Sequence, residues 1–444
     1  MNFVFISPQF PRTYWNWCDR LKKNGANVLG IGDTPYDQLD DALKNVLTEY
    51  YKVGTLEDYD QVFRAVAFFS FKYGKIHWLE SNNEYWLEHD AMLRTDFNIL
   101  SGPDVDEIQA YRSKAAMKPY YKKAGVPTAR QAPVTTLEEA KDFIKRVGYP
   151  VIVKPEYGVG AAATYRLENR HELEEFFSDL PEDSYVMEEF VPGWICSYDA
   201  IVDSHSDVLF ESMSISPPIM DIVNNQTELI FYVPPSVEPQ LQKRGRATVK
   251  AFGVKSRFVH MEFFKLTRAK KGLGKEGDFV GLEVNMRPGG GYMPDMMDFA
   301  HSTDVYQLWA DMICFDERRL PEHPDQQYCV YFGQRDHFHY IGVFRFFCEK
   351  GSQVFLIFQA PGSSGTYAVF RFHDDGVANL FNKLFCFFLC GNRGLSASWH
   401  TGFFIIGLHS GLAAVGLDFI YVRTGEDVEI RSQHGVMFQP VFIV

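Results

Sequence analysis

The sequence predicts an α/β protein of several domains. In the first hundred residues, short apolar runs alternate with amphipathic helical patterns, which indicates a parallel sheet with helices on its faces. Further along, two apolar runs flank a charged, Gly-rich turn, which is typical of an antiparallel hairpin in a mixed α+β region. The length of 444 residues gives room for two to four domain cores.

Composition narrows the class of protein. The formal net charge of −13 argues against a nucleic-acid partner, because proteins of that kind concentrate positive charge. The seven cysteines are scattered and form no Cys-x-x-Cys pair, so we expect a reducing cytoplasm. The N-terminal stretch MNFVFISPQF lacks the basic region and long apolar segment of a secretory signal. The apolar run 403–417 is shorter than the ~20 residues that a spanning helix needs, so we expect no membrane contact.

The first domain is predicted to hold a parallel sheet. Strands are expected at 3–6, 28–31 and 76–79, and helices at 14–23 and 59–71. Ligands of such sheets lie beyond the carboxyl ends of the strands, so we expect the loops 7–9 and 80–82 to touch a substrate. Gly30 and Gly32 follow the second strand without a third glycine at the spacing of a dinucleotide site, so we predict none.

A second unit begins near residue 104 and carries two lysines of interest. The pattern predicts a helix over 106–124 that contains Lys114 and ends at Gly125-Val126-Pro127. A helix over 137–147 then leads into an apolar strand that carries Lys154 near its end. Small residues at 158–163 separate this strand from 165–167, so the loop could fold over phosphate groups with its backbone N–H exposed. The alternative is a solvated edge strand followed by an ordinary hairpin.

The next strand could contact a nucleotide base. Residues 185–193 indicate a strand followed by a turn, and their backbone could offer donor and acceptor groups to a purine edge. Met187 or Phe190 would pack on the ring. The alternative is a core strand whose glutamates, Glu188 and Glu189, point to the surface.

The centre of the chain carries a candidate metal site. Glu283, Asn285 and Arg287 alternate along a predicted strand, so their side chains share one face. Glu262 lies on the preceding strand, and the turn 268–278 between the two brings both carboxylates together. Carboxylate and amide oxygens suit Mg²⁺, and the arginine would bind anionic oxygens. A solvated edge strand before a Gly-rich turn is the alternative.

In this order, the motifs resemble those of the ATP-grasp superfamily of carboxylate–amine ligases over about residues 1–335. Lys114 precedes Gly125-Val126-Pro127 by the spacing of the family's first ATP lysine, and Lys154 matches the second. Residues 158–163 match the glycine-rich flap, and 188–191 match the adenine-binding hinge. Within the superfamily, the chain is most similar to bacterial proteins described as carbamoyl-phosphate-synthase-like.

The resemblance implies a fold, a set of domains and a set of ligands. It implies a Rossmann-like pre-ATP-grasp domain (1–103), a small ATP-grasp lobe with the flap (104–190), a large lobe with the metal site (191–335) and an uncertain C-terminal tail (336–444). Mg²⁺, or Mn²⁺ in its place, would be held by Glu262, Glu283 and Asn285, and Arg287 would be the catalytic residue. The implied ATP-binding residues are Lys114, Lys154, Gly158, Gly160, Glu188, Glu189, Phe190 and Val191.

One position departs from the family pattern. Trp194-Ile195 stand where many relatives carry a second glutamate for the ribose, and Asp199 on the following strand is the candidate substitute.

The function implied is that of an ATP-dependent ligase. A small-molecule carboxylate would be activated as an acyl phosphate and transferred to an amine, with release of ADP and phosphate. A homodimer is compatible with this function. Two alternatives stay open: an enzyme that uses bicarbonate as the acid, and a nucleotide-binding module without catalysis.

The last hundred residues differ in character from the rest. Of the chain's 39 phenylalanines, 16 fall within the final 104 residues, and no helical or strand period persists there. We therefore assign no function to this segment.

Overall fold

A computed structural model describes residues 1–157, 163–180, 184–217, 229–335, 353–359 and 365–372. Within these ranges the protein has a mixed α/β fold with three sheets. We call them the first sheet, the small sheet and the large sheet, in chain order.

The first sheet is parallel and has the strand order β3-β2-β1-β4. The expected strands and helices are present within a few residues of their predicted bounds. The five residues of the first strand are all buried, which explains its continuous apolar run. The elements of this part are β1 (Asn2–Ile6), α1 (Trp15–Lys23), β2 (Asn27–Gly32), α2 (Asp41–Val46), β3 (Glu49–Lys52), α3 (Tyr59–Tyr73), β4 (Trp78–Glu80) and α4 (Leu87–Asp96).

The single helix expected over 106–124 is wrong. The chain forms two short helices instead, α5 (Gln109–Arg112) and α6 (Lys118–Lys123). Ser113 has an extended backbone with ψ of 119°, and Pro119 occupies the first turn of α6, where its missing N–H is tolerated. Lys114 therefore lies in the link between two helices and not on a helix.

The small sheet is antiparallel, with the strand order β5-β8-β6-β7. Two helices pack against it through one apolar cluster that includes Phe143, Val153 and Leu173. The predicted flap residues Gly158 and Gly160 lie outside the described residues. The elements are β5 (Gln131–Pro133), α7 (Leu137–Val147), β6 (Val151–Pro155), β7 (Tyr165–Leu167), α8 (Arg170–Ser178) and β8 (Tyr185–Glu189).

The large sheet is antiparallel, with the order β13-β12-β9-β10-β11-β14-β16-β15. Its last two strands come from the segment expected to be an uncertain tail, so part of that segment extends this sheet. The elements are β9 (Gly193–Val202), β10 (Val208–Ser216), β11 (Leu229–Val233), α9 (Pro239–Phe252), β12 (Arg257–Leu266), β13 (Phe279–Asn285), α10 (Met293–His301), α11 (Val305–Phe315), β14 (Tyr328–Arg335), β15 (Gln353–Gln359) and β16 (Gly365–Phe372).

The first sheet is attached to the large sheet through a shared core. Trp17 of α1 packs against Tyr306 and Trp309 of α11, with ring centroids 4.4 and 5.0 Å apart. Phe258 of β12 completes this cluster. Among the helices of the described part, none has the length and apolar character that crossing a bilayer requires.

Candidate functional site

Two carboxylates face each other across neighbouring strands of the large sheet. In the β12–β13 register, Glu262 is opposite Glu283 and His260 is opposite Asn285. Residues opposite each other in an antiparallel pair point to the same face, so these four side chains form one polar patch. A register shift directly after Glu262 bends the ladder at this point.

The charge of this patch suits a divalent cation. Burial and the neighbouring Glu262 carboxylate raise the pKa of Glu283, because two like charges are held close together. A bound cation would remove this repulsion. No group of three or more His, Cys, Asp or Glu side chains that could hold a metal occurs in the described part of the chain. The oxygen donors of Glu262, Glu283 and Asn285 are of the kind that fits Mg²⁺, which is usually held by one or two carboxylates together with phosphate oxygens.

Asp199 lies beside this patch, on β9, where it is opposite His260 and has no exposed surface. It is fully buried, its Oδ1 is 2.7 Å from His260 Nδ1, and its Oδ2 accepts a hydrogen bond from Ser197. Both carboxylate oxygens are thus occupied by side chains of the sheet. The proposed ribose contact is not supported, because a carboxylate without exposed surface cannot reach a sugar hydroxyl.

His260 connects Asp199 to the candidate metal ligand Glu262. Its Nε2 is 3.5 Å from Glu262 Oε1. Burial alone would lower the pKa of His260, but the Asp199 charge outweighs burial and raises the pKa to about 10. The ring therefore carries a positive charge beside the carboxylate pair. This charge helps to lower the pKa of Glu262 against the opposing effect of burial.

The two predicted lysines lie close to the carboxylates. Lys114 Nζ is 4.0 Å from Glu283 Oε2, and Lys154 Nζ is 2.7 Å from Glu188 Oε2. Glu188 also contacts Lys118 at 2.6 Å, so one carboxylate lies between two ammonium groups. Burial alone would raise the pKa of Glu188, but these two charges lower it to about 2. Burial lowers the pKa of Lys114.

The hinge residues use their side chains for packing and ion pairs. Glu189 accepts hydrogen bonds from Arg130 Nε at 3.0 Å and Nη2 at 2.8 Å, which fixes the end of β8. The Arg166 guanidinium lies 4.5 Å from the centroid of the Phe190 ring. Val191 is buried in a small apolar cluster. Any contact that Glu189 makes with a base would therefore come from its backbone, because its side chain is occupied.

Arg287 lies two residues beyond the end of β13. Its Nε is 3.2 Å from Glu84 Oε2, and its Nη2 is 3.5 Å from Asn285 Oδ1. Glu84 begins a short 3₁₀ helix, Glu84–Trp86, in the connection after β4, so the first sheet reaches the site through this residue. Glu80, expected to lie in a loop and touch a substrate, is instead the last residue of β4 and pairs with Arg94 at 3.1 Å and Arg257 at 2.8 Å. Glu80 is buried, so that expectation is wrong for its side chain.

Sequence reasoning missed four residues of this site: Glu84, Lys118, Arg130 and His260. Two of them had a usable signal. His260 lies two residues before Glu262 on a predicted strand and so shares its face. Glu84 follows the carboxyl end of a parallel strand, where ligand-binding loops are expected. No sequence pattern pairs Lys118 with Glu188 or Arg130 with Glu189.

The small sheet, the two lysines and the carboxylate hairpin are the features on which the resemblance to ATP-grasp enzymes rests. Residues 113–209 match the family described as carbamoyl-phosphate synthase L chain, ATP binding domain. The resemblance to ATP-grasp enzymes is therefore confirmed.

The proteins to which this chain is similar include two amino acid ligases and a biotin carboxylase domain. The chain is 22% identical over 277 residues to an L-arginine-specific L-amino acid ligase of Bacillus subtilis, which covers 59% of this chain. A structure of an L-amino acid ligase from Bacillus licheniformis aligns with a TM-score of 0.64 at 16% identity, over 86% of this chain and 96% of that one. The biotin carboxylase domain of Hydrogenobacter thermophilus 2-oxoglutarate carboxylase, solved with MgADP and bicarbonate, aligns with a TM-score of 0.61 at 16% identity. The alignment covers 83% of this chain and 85% of that domain's chain.

The structural matches establish the fold alone. The chain spans 63% of the length of the Bacillus subtilis ligase, which is less than two thirds of this curated relative.

Proposed function

We propose that the protein is an ATP-dependent ligase that joins a carboxylate to an amine. The observation that carries this proposal is the convergence of Lys114, Lys154, Glu262 and Glu283 from four separate segments. Two buried lysines beside a pair of carboxylates form a site with both anion-binding and cation-binding groups. Mg-ATP has both charges, so its phosphate oxygens would contact the lysines and its cation would contact the carboxylates.

Each residue of the site has a task in this reaction. Lys114 and Lys154 would bind phosphate oxygens, and Glu262, Glu283 and Asn285 would hold Mg²⁺, or Mn²⁺ in its place. An ion held by these three residues would supply positive charge to offset that of the phosphate oxygens. Arg287 would stabilise the negative oxygens of the reacting carboxylate and phosphoryl group, an electrostatic role often worth a few kcal/mol.

The reaction has two balanced steps. A substrate carboxylate oxygen attacks the γ-phosphorus, so that an O–P bond forms, the bond to ADP breaks and an acyl phosphate results. The amine nitrogen then attacks the acyl carbon, a C–N bond forms, phosphate leaves and the amine loses a proton.

The finer features expected from the sequence complete the proposal. The first sheet would be the core of a Rossmann-like pre-ATP-grasp domain over 1–103. The small lobe would cover 104–190, with Gly158 and Gly160 in its flap, and the large lobe would cover 191–335. The backbone of 188–191 would contact adenine. The substrates would be small molecules, the compartment the cytoplasm and the assembly a homodimer.

The metal assignment is tested by the double variant Glu283→Ala/Asn285→Ala. Removal of two of the three ligands should weaken Mg-ATP binding by about 100-fold or more. The fold should persist, because the pKa of Glu283 is raised and its charge is therefore unfavourable in this position. Calorimetric titration with Mg-ATP measures the change. Glu276→Ala, an exposed position in the turn of the same hairpin, serves as the control. Unchanged binding by the double variant would exclude the metal assignment.

The reaction class is tested by ADP release from Mg-ATP with pooled carboxylic acids and amines. Release that needs both an acid and an amine supports the ligase. Release that needs bicarbonate instead would assign the protein to the carboxylating enzymes, and tight Mg-ATP binding without turnover would indicate a nucleotide-binding module.

A further inference from the structure

Lys118 is a mostly buried lysine to which the proposed reaction gives no task. Its side chain is 18% exposed, and its Nζ lies 2.6 Å from Glu188 Oε1. The other oxygen of this carboxylate, Oε2, lies 2.7 Å from Lys154 Nζ. The Glu188 side chain is itself buried. One buried carboxylate therefore holds two ammonium groups, and the proposed reaction needs one of them, that of Lys154, for phosphate.

The small sheet fixes the pair of Glu188 and Lys154. Glu188 is opposite Ile152 in the antiparallel register of β8 and β6, and Lys154 lies two residues further along β6. The side chains of Glu188 and Lys154 are thus diagonal neighbours on one face of the sheet, within reach of each other. Because Lys154 is also buried, few water molecules can compete with Glu188 for its ammonium group. A phosphate group would have to compete with this carboxylate.

Lys118 reaches the same carboxylate from a different part of the fold. It is the first residue of α6. This helix packs on the large sheet, where the Tyr121 ring lies against Gly281 and its centroid is 6.3 Å from that of Phe263. The ion pair of Lys118 with Glu188 therefore joins α6 to the small sheet. Since the large sheet holds α6, the position of Lys118 does not depend on Lys154.

This arrangement gives Lys118 an effect on Lys154. A buried carboxylate without a counter-charge is strongly unfavourable. If Lys154 were the single partner of Glu188, a movement of its ammonium group towards phosphate would leave such a carboxylate behind. With Lys118 on the other oxygen, Glu188 keeps a counter-charge throughout. The electrostatics agree, because burial by itself raises the pKa of Glu188, and the charge of Lys118, followed by that of Lys154, lowers it to about 2.

We propose that Lys118 is a positioning residue of the nucleotide site, which holds the Glu188 carboxylate so that the ammonium group of Lys154 can bind phosphate. The inference rests on the proposed ligase function, in which Lys154 binds phosphate oxygens. Lys118 acts through Glu188 and does not contact the nucleotide. Loss of Lys118 should therefore weaken binding of the phosphate groups and leave binding of the base and the sugar unchanged.

The test compares Mg-ATP with adenosine, which has no phosphate, by calorimetric titration. Lys118→Gln should weaken Mg-ATP binding by about tenfold or more, because Glu188 then competes fully for Lys154. Its affinity for adenosine should stay within about twofold of the wild-type value. Lys118→Arg keeps a cation at Glu188 and should recover most of the loss. Lys122→Gln removes the same charge from an exposed position of the same helix and should change neither affinity.

A second comparison uses Glu188→Gln as the starting protein. Without this carboxylate nothing competes for Lys154, so the addition of Lys118→Gln should change Mg-ATP affinity by no more than about twofold. Neither of these two proteins buries an unpaired carboxylate at position 188. The comparison therefore decides the question even if Lys118→Gln alone does not fold.

The outcomes are distinguishable. An unchanged Mg-ATP affinity in Lys118→Gln, or a loss that is equally large for adenosine, overturns the inference and leaves the ligase function standing. A full loss on addition of Lys118→Gln to Glu188→Gln does the same, because Lys118 would then contact the nucleotide or only support the fold. Wild-type protein that binds no Mg-ATP overturns the proposed function itself, and with it the inference.

Discussion

At the scale of single residues, the site is organised by charges that are buried in opposite pairs. Glu188 lies between Lys118 and Lys154, and Asp199 neutralises the ring of His260. Each of these charges would be unfavourable if it were buried alone, because the free-energy cost of removing an ion from water exceeds the Coulombic attraction of a distant partner. The pairs keep lysine and histidine charged inside the protein, and a charged lysine is what binding of a phosphate requires.

The Glu188 carboxylate should contribute to stability in a pH-dependent way. In the folded protein its pKa is about 2, below the ordinary value of 4.5. A lowered folded pKa gives stability that is present above pH 4.5 and is lost as the pH falls towards 2. The corresponding contribution at neutral pH is about 3 kcal/mol.

We therefore expect Glu188→Gln to lose about 3 kcal/mol of unfolding free energy at pH 7, and expect the difference from wild type to shrink below pH 4.5. Urea unfolding without nucleotide, at several pH values, measures both. Glu138→Gln, which removes an exposed ion pair with Lys141, is the control and should show no measurable change. A difference that stays constant across this pH range would contradict the assignment of the ion pair.

At the scale of elements, the carboxylate strand is positioned by a close contact with α6. Gly281 of β13 lies against the ring of Tyr121, and its N–H donates to the Pro127 carbonyl at 2.8 Å. The helix can approach the strand this closely because Gly281 has no side chain. Because Glu283 is two residues further along, this contact also holds the metal ligand in place.

We expect Gly281→Ala to destabilise the protein by about 1–3 kcal/mol, because a methyl group there would overlap the Tyr121 ring. The midpoint of denaturant unfolding measures the loss. Gly290→Ala is a matched control, since open space surrounds that position. Equal midpoints for the two variants would show that the contact with Tyr121 is loose.

At the scale of the whole molecule, a buried ion cluster joins the first sheet to the large sheet. Glu80 Oε2 accepts contacts from Arg94 of its own unit and from Arg257 of β12. Arg257 also donates to the Met286 carbonyl at 3.0 Å, one residue before Arg287. The cluster therefore sets the position of the Glu84 loop relative to the reacting groups.

We expect Arg257→Ala to cost about 3–5 kcal/mol, because it leaves the buried Glu80 with one partner fewer. The free energy of unfolding in guanidinium measures the cost. Arg64→Ala breaks an exposed pair with Asp60 and should leave stability unchanged within error. A loss below about 1 kcal/mol for Arg257→Ala would mean that water replaces the guanidinium at Glu80.

The sequence by itself determined the features that depend on local geometry. A period of two brings Glu283 and Asn285 to one face, and a hairpin turn brings Glu262 opposite Glu283, because strand sterics act over a few residues. The alternation of strands and helices determined the parallel first sheet in the same way. The predicted helix around Lys114 failed because Ser113 leaves the helical region there, which the apolar pattern does not record.

Only the tertiary structure decided which charges meet. Glu84 and Arg287 are about 200 residues apart in the chain, and Asp199 pairs with a histidine that is 61 residues away. The partner of a buried charge is the opposite charge that the packing of distant elements places nearby. The same packing determines how far the charged group is removed from water. Residue type and spacing contain no record of either quantity, so Asp199 appeared to be a ligand contact and the pairing of Glu84 with Arg287 was not predicted.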